Sequence, residues 1–184
     1  MIKSINNKYL PVLLATVLVV TGGAGPVLAQ DGDAAPAAPC SADAGFGQFD
    51  FWLGEWDVHL ADGSVAGGNV ITREEAGCVL IERWTGASGG TGMSVNYVDK
   101  ITNEWVQVWN SAPGVQINIR GGLTDAGMAL EGTIHYVGNG TTAPFRGLWT
   151  PMNDGRVRQY FEQSNDGGET WTPWFEGFYT RKAP

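Results

Sequence analysis

Positive charge is scarce in this 184-residue chain: 11 Lys and Arg stand against 19 Asp and Glu, a formal net charge of −8. That balance excludes nucleic acid or an anionic membrane surface as the main partner, because both are held by basic patches. Histidine and cysteine are reduced to two each, and no zinc-type pair is formed from them. Asp57 and His59, two apart on one strand, are expected to face solvent. The apolar run Leu10–Val20 falls short of the about 20 residues that span a bilayer. A Ser-centred nucleophile elbow and a Walker loop are both missing. Gly89-Gly90-Thr91-Gly92 lacks the Lys and the following helix of a phosphate loop. There is no internal repeat, and the length suits one domain. What is abundant is glycine, 27 residues, and tryptophan, 8, in a chain that is 43% hydrophobic. Such a chain is not disordered, and Gly beside aromatics points to short strands joined by tight turns.

The first residues read as an address. Lys3 and Lys8 precede the Leu10–Val20 run, and Val27-Leu28-Ala29 offers small residues at the −3 and −1 positions of a cleavage site. This is the pattern of a secretory signal peptide spanning 1–29. The expected location is secreted or periplasmic. Residues 30–45 are Ala/Pro-rich and read as a flexible leader to a domain over 46–184. Export permits a disulfide between Cys40 and Cys78, tying leader to domain.

The runs Glu55–Leu60, Val65–Glu74, Cys78–Trp84, Met93–Val98, Glu104–Asn110, Val115–Gly121, Met128–Val137, Phe145–Thr150, Arg156–Ser164 and Trp171–Arg181 are strand-like. Asp62-Gly63, Pro113-Gly114, Asn139-Gly140, Asp154-Gly155 and Asp166-Gly167-Gly168 separate several of them as turns. The spacing predicts an all-β fold of about ten antiparallel strands, preceded by a short helical turn near Phe46–Phe51. Closing them into one up-and-down barrel removes exposed edges; a sandwich is the alternative. Asn139-Gly140-Thr141 fits a glycosylation acceptor but reads first as a turn.

Hairpin registers, taken without bulges, set Trp56 opposite Asn69, Asn69 opposite Trp84, Asn96 opposite Gln107 and Gln107 opposite Asn118. Near the C-terminus they put Trp149, Arg158, Tyr160, Glu162, Trp171, Phe175, Tyr179 and Arg181 on one face. The ordinary rule turns the aliphatic face of the middle strands (Met93, Val95, Val106, Val108, Ile117, Ile119) inward. The alternative turns the polar and aromatic face inward, around a ligand cavity.

Phe49-Asp50-Phe51-Trp52-Leu53-Gly54-Glu55-Trp56-Asp57-Val58 contains the Gly-x-Trp that opens the first strand of lipocalins. With Glu82-x-Trp84-x-Gly86, Gly92-x-Ser94-x-Asn96, Trp105-x-Gln107-x-Trp109 and Asp166-Gly167-Gly168-x-Thr170-Trp171, residues 46–182 resemble a bacterial secreted lipocalin-like (calycin) family of unknown function. The resemblance implies a lipocalin- or fatty-acid-binding-protein-like barrel, with Trp56 and Arg181 at its floor. It favours the second orientation, with Glu82, Trp84, Asn96, Trp105, Gln107, Trp109, Asn118, Arg158, Tyr160 and Glu162 lining the ligand site. The aliphatic strip would then lie outside, where a homodimer could cover it.

Such a cavity fits a small apolar or aromatic molecule with a polar or anionic end, gripped by Arg158 and oriented by Asn96, Gln107 and Asn118. No resident metal or cofactor is expected. A second reading is an isomerase, cyclase or lyase using buried Glu82 or Glu162 with Tyr160 as acid–base groups. A third is haem held through His135, the one histidine that shares the Asn118–Thr133 face.

Overall fold

The computed structural model describes residues 40–183. The expected signal peptide, and the leader up to residue 39, lie outside the described residues.

Ten strands follow one another in chain order: β1 Gly54–His59, β2 Val65–Glu74, β3 Val79–Gly86, β4 Thr91–Asp99, β5 Glu104–Ser111, β6 Val115–Thr124, β7 Gly127–Tyr136, β8 Thr141–Pro151, β9 Val157–Gln163 and β10 Thr172–Arg181. Each pairs antiparallel with the next, and β10 returns to β1, so the sheet closes into an up-and-down barrel. Closure leaves no free edge to satisfy. Each strand overlaps one of the runs legible in the sequence. Tight turns do the joining, with left-handed glycines at Gly63, Gly114, Gly140 and Gly155.

Before β1, two short 3-10 turns, Ala44–Gly47 and Asp50–Trp52, fold across one end of the barrel. Asp43 caps the first by accepting from the Gly45 N–H at 2.8 Å. Cys40 and Cys78 form the disulfide, fastening this segment to the start of β3. Phe49 stacks on Trp52 at 4.9 Å and meets Trp105 and Trp149 edge-on. Trp52 and Phe49 are fully buried. They complete the apolar floor together with Leu80, Ile119 and Met128.

The orientation question is settled strand by strand, and neither simple answer holds throughout. Trp56, Asn69, Glu82 and Asn96 face inward as their pairings require: Trp56 opposite Asn69, Asn69 opposite Trp84, Asn96 opposite Gln107. In β6 the order inverts. Gln107 pairs with Ile119, not Asn118, so Ile117 and Ile119 are buried inside while Asn118 and Arg120 point out. The cause is the turn before β6. Ser111 Oγ accepts from the Val115 N–H at 3.0 Å, replacing a backbone rung and shifting the register by one. The aliphatic strip imagined for a dimer is thereby cut, and only Met93, Val95, Val106 and Val108 remain on the outer wall.

β9 inverts too. A three-residue connection, closed by Met152 N–H to Arg156 O at 2.8 Å, pairs Trp149 with Gln159. Val157, Gln159 and Phe161 therefore face inward, and Arg158, Tyr160 and Glu162 face out. Phe175 faces inward in step with Tyr179, and a bulge at Trp174 brings that indole to the cavity beside it. Trp171 stays outside, where the Arg146 guanidinium lies 4.2 Å from its ring centre.

Candidate functional site

At the floor, the Arg181 guanidinium lies 4.4 Å from the Trp56 ring centre and donates to Leu53 O at 3.0 Å. Trp56 donates from Nε1 to Trp52 O at 2.9 Å. These contacts lock the end of β10 to the segment that closes the barrel. Trp105 belongs to the same floor: it is 3% exposed and donates to Gln48 Oε1 at 3.2 Å.

Halfway up, strands β2 to β5 and β9 to β10 converge on a polar layer. Glu82 accepts at Oε1 from Asn69 Nδ2 (2.7 Å) and at Oε2 from the Ser94 hydroxyl (2.6 Å). Asn96 Nδ2 donates to Ser94 Oγ at 2.8 Å and to Leu80 O at 3.2 Å. Gln107 Nε2 donates to Asn96 Oδ1 at 2.9 Å. On the other side Asn69 Nδ2 also donates to the Tyr179 hydroxyl at 3.2 Å, and that hydroxyl donates to Gln159 Oε1. Asn69, Glu82, Ser94, Asn96, Gln107 and Gln159 are all buried. A network this enclosed survives because nearly every member has a partner. Asn69 Oδ1 is an exception, buried without one.

Burial pushes the Glu82 carboxyl up to about 7, against the opposing hydrogen bonds from Ser94 and Asn69. Burial, reinforced by the neighbouring Glu82, holds the Tyr179 phenol well above its ordinary value.

Above this layer opens a cavity of about 160 Å³, lined by Glu82, Trp84, Gln107, Trp109, Ile117, Gln159, Phe161, Trp174, Phe175 and Tyr179. Its walls are mainly aromatic and its base is polar. Gly92 makes the wall possible. A Cβ there would stand 2.1 Å from Trp109 Cζ2, so the indole lies flat across a position that only glycine leaves open. Trp84 and Phe175 meet edge-on at 6.2 Å, and Trp174 donates from Nε1 to the Tyr136 hydroxyl at 3.0 Å.

Of the residues singled out in the sequence, Glu82, Trp84, Gln107 and Trp109 line this cavity. Asn96 stands behind it in the polar layer, and Trp105 lies in the floor. Asn118, Arg158, Tyr160 and Glu162 are on the outer wall. There Arg158 pairs with Glu176 at 2.7 Å and lies over Tyr160, while Glu162 pairs with Arg146 at 2.8 Å. The anionic grip assigned to Arg158 has no place inside the barrel, nor has acid–base chemistry by Glu162 and Tyr160. His135 also faces out, 2.8 Å from Thr142 Oγ1, so the haem reading loses its ligand. His59 sits on the outer wall opposite Phe178.

The sequence reading missed Gln159, Phe161, Trp174 and Ile117, and left Phe175, Tyr179 and Ser94 out of the site. For β9 a signal existed. In Val157-Arg158-Gln159-Tyr160-Phe161-Glu162 one face holds no charge and the other holds two, and burying unpaired charge is the costlier arrangement.

No family model matches the chain, and no curated protein matches it. The closed ten-strand antiparallel barrel is compatible with the calycin-like architecture that the sequence resemblance implies.

Proposed function

We propose that the protein is an exported small-molecule-binding protein that holds an apolar or aromatic ligand, by one polar end, inside the barrel. The observation that carries this reading is the aromatic-walled cavity of about 160 Å³ seated on a buried hydrogen-bonding layer. A cavity of ~150 Å³ accommodates a benzene-sized molecule, and a few placed polar groups in an apolar pocket are the ordinary makeup of a ligand site. Export is supported by the 1–29 pattern and by the Cys40–Cys78 disulfide, which is compatible with an oxidising compartment. Among the described residues no helix is long and apolar enough to cross a membrane.

Mass spectrometry of an organic extract of the purified protein identifies what it carries. Independently, 2-phenylethanol serves as a probe, followed by tryptophan fluorescence. Trp109→Ala and Trp174→Ala are expected to weaken probe binding roughly 3- to 10-fold, the value of a lost aromatic contact. Arg158→Ala is expected to leave it unchanged. Binding that ignores both tryptophans but falls in Arg158→Ala places the ligand on the outer wall instead.

A second reading is favoured by one observation: Glu82, half protonated near neutrality, stands beside the cavity as a usable acid or base. An isomerase, cyclase or lyase would convert the extracted compound, and Glu82→Gln would abolish turnover while a carrier would show none.

A further inference from the structure

Around Glu82 the polar layer has few donors left, and of its side-chain amides only that of Gln159 donates no hydrogen bond within it. Both Asn69 Nδ2 hydrogens are taken, by Glu82 and Tyr179. The Ser94 hydroxyl is spent on Glu82, and the Asn96 amide on Leu80 O and Ser94. The Tyr179 hydroxyl is spent on Gln159. Acceptors remain. Glu82 receives one hydrogen bond at each oxygen, and a carboxylate oxygen has room for two.

The layer is also short of positive charge. Glu82 is 3% exposed and lines the cavity, yet no Lys or Arg among the described residues lines it with Glu82. Arg158 is turned out to Glu176, Arg146 to Glu162, and Arg181 lies at the floor on Trp56 and Leu53 O. A buried carboxylate without a counter-ion is costly, and a cation entering the cavity relieves that cost. The walls suit the same guest: Trp84, Trp109 and Phe175 present aromatic surface, which attracts an organic cation through the ring faces.

We propose that the cavity selects a small organic amine bound as its ammonium, donating N–H to the Glu82 carboxylate, with its hydrocarbon body among Trp84, Trp109 and Phe175. This rests on the small-molecule-binding reading above and specifies its polar end as cationic. The cavity size limits the guest to about one ring and a short chain.

The pH response follows from the groups around the carboxyl. From β2 and β4 it meets Asn69 and Ser94, with Asn96 of β4 and Gln107 of β5 bonded to Ser94 behind them, and none of the four titrates. From β10 it meets Tyr179, whose raised value keeps it neutral. Among these groups only Glu82 changes charge between pH 5.5 and 8, gaining it as pH rises through about 7. Amine affinity is therefore expected to climb roughly 30-fold over that interval, because binding below the titration must first displace a proton.

The test titrates the purified protein with phenethylamine, 2-phenylethanol and phenylacetate at pH 5.5 and 8, by calorimetry. At pH 8 the amine should bind at least 10-fold tighter than the alcohol, and phenylacetate weakest. Affinity for the alcohol should be flat with pH. Glu82→Gln should erase the amine's advantage and its pH dependence. Equal binding of amine and alcohol at pH 8, or an advantage that survives Glu82→Gln, overturns the proposal while leaving the ligand-binding reading standing. If neither amine nor alcohol binds, both readings fall. Should Glu82→Gln not fold, the pH profiles of the unaltered protein decide alone: an amine affinity as flat as the alcohol's overturns the assignment.

Discussion

At the scale of single residues, Glu82 ties the stability of the fold to pH as well as serving the site. Its carboxyl is held at about 7 because burial penalises the charged form more than Ser94 and Asn69 can offset. The folded state thus keeps this proton more tightly than the unfolded chain, whose ordinary value is 4.5. The resulting stabilisation is complete below 4.5 and is lost as pH rises through about 7, a change of roughly 3 kcal/mol. Glu82→Gln keeps the shape and removes the charge. Urea unfolding at pH 5 and pH 8 is expected to show the variant less pH-dependent than the parent and more stable than it at pH 8. Parallel pH profiles for the two proteins would mean that the carboxyl is solvated in the folded state. The charged pairs of the outer wall, such as Arg158 with Glu176, are about one-third exposed and contribute little by comparison.

Strands act through parity, and β4 and β5 show how closely parity and packing are coupled. Gly92 lies opposite Trp84 on β3 and Ser111 on β5, with the Trp109 indole over its bare backbone. Gly92→Ala should drive that indole into the cavity, lowering stability by roughly 1–3 kcal/mol through overpacking and weakening 2-phenylethanol binding. Thermal unfolding and a fluorescence titration check both; a variant matching the parent in each would show that Trp109 has somewhere else to go. The strands themselves were legible because alternation and Asx-Gly turns are local signals. So were Glu82, Trp84, Gln107 and Trp109, whose strands are joined by turns of regular register. Face assignment failed at β6 and β9 because one residue more or less in a connection flips every side chain beyond it. The Ser111 hydroxyl standing in for a rung, the three-residue connection before β9 and the bulge at Trp174 are decided by tertiary fit. Composition could still have arbitrated at β9, since Arg158 and Glu162 argue for the outer wall.

For the whole molecule, a ten-strand barrel has two ends, and only one of them can admit a guest. The lower end is shut by the segment before β1: Phe49 and Trp52 wedge between Trp105 and Trp149, and Arg73 holds the segment through Asp50 and Phe46 O. This plug is an apolar cluster on a short stretch with no strand pairing of its own, so its retention depends on being tethered. The tether is Cys40–Cys78, spanning 38 residues of sequence. Closing a loop of that size stabilises by about 2–4 kcal/mol, chiefly by restricting the unfolded chain. Cys40→Ser with Cys78→Ser should therefore lower the melting temperature by roughly 4–15 °C, given 2–4 °C per kcal/mol at this size. It should also release Phe49 and Trp52 from their stacks, which near-ultraviolet circular dichroism reads at temperatures below the transition. Loss of aromatic signal with the strand signal intact would show that the barrel stands without its plug. In that event 2-phenylethanol affinity should also fall, because water reaching the floor from below reaches the polar layer on which the cavity rests. A reduced protein with unchanged melting and aromatic signal would instead mean that Arg73 and the aromatic wedge hold the floor unaided.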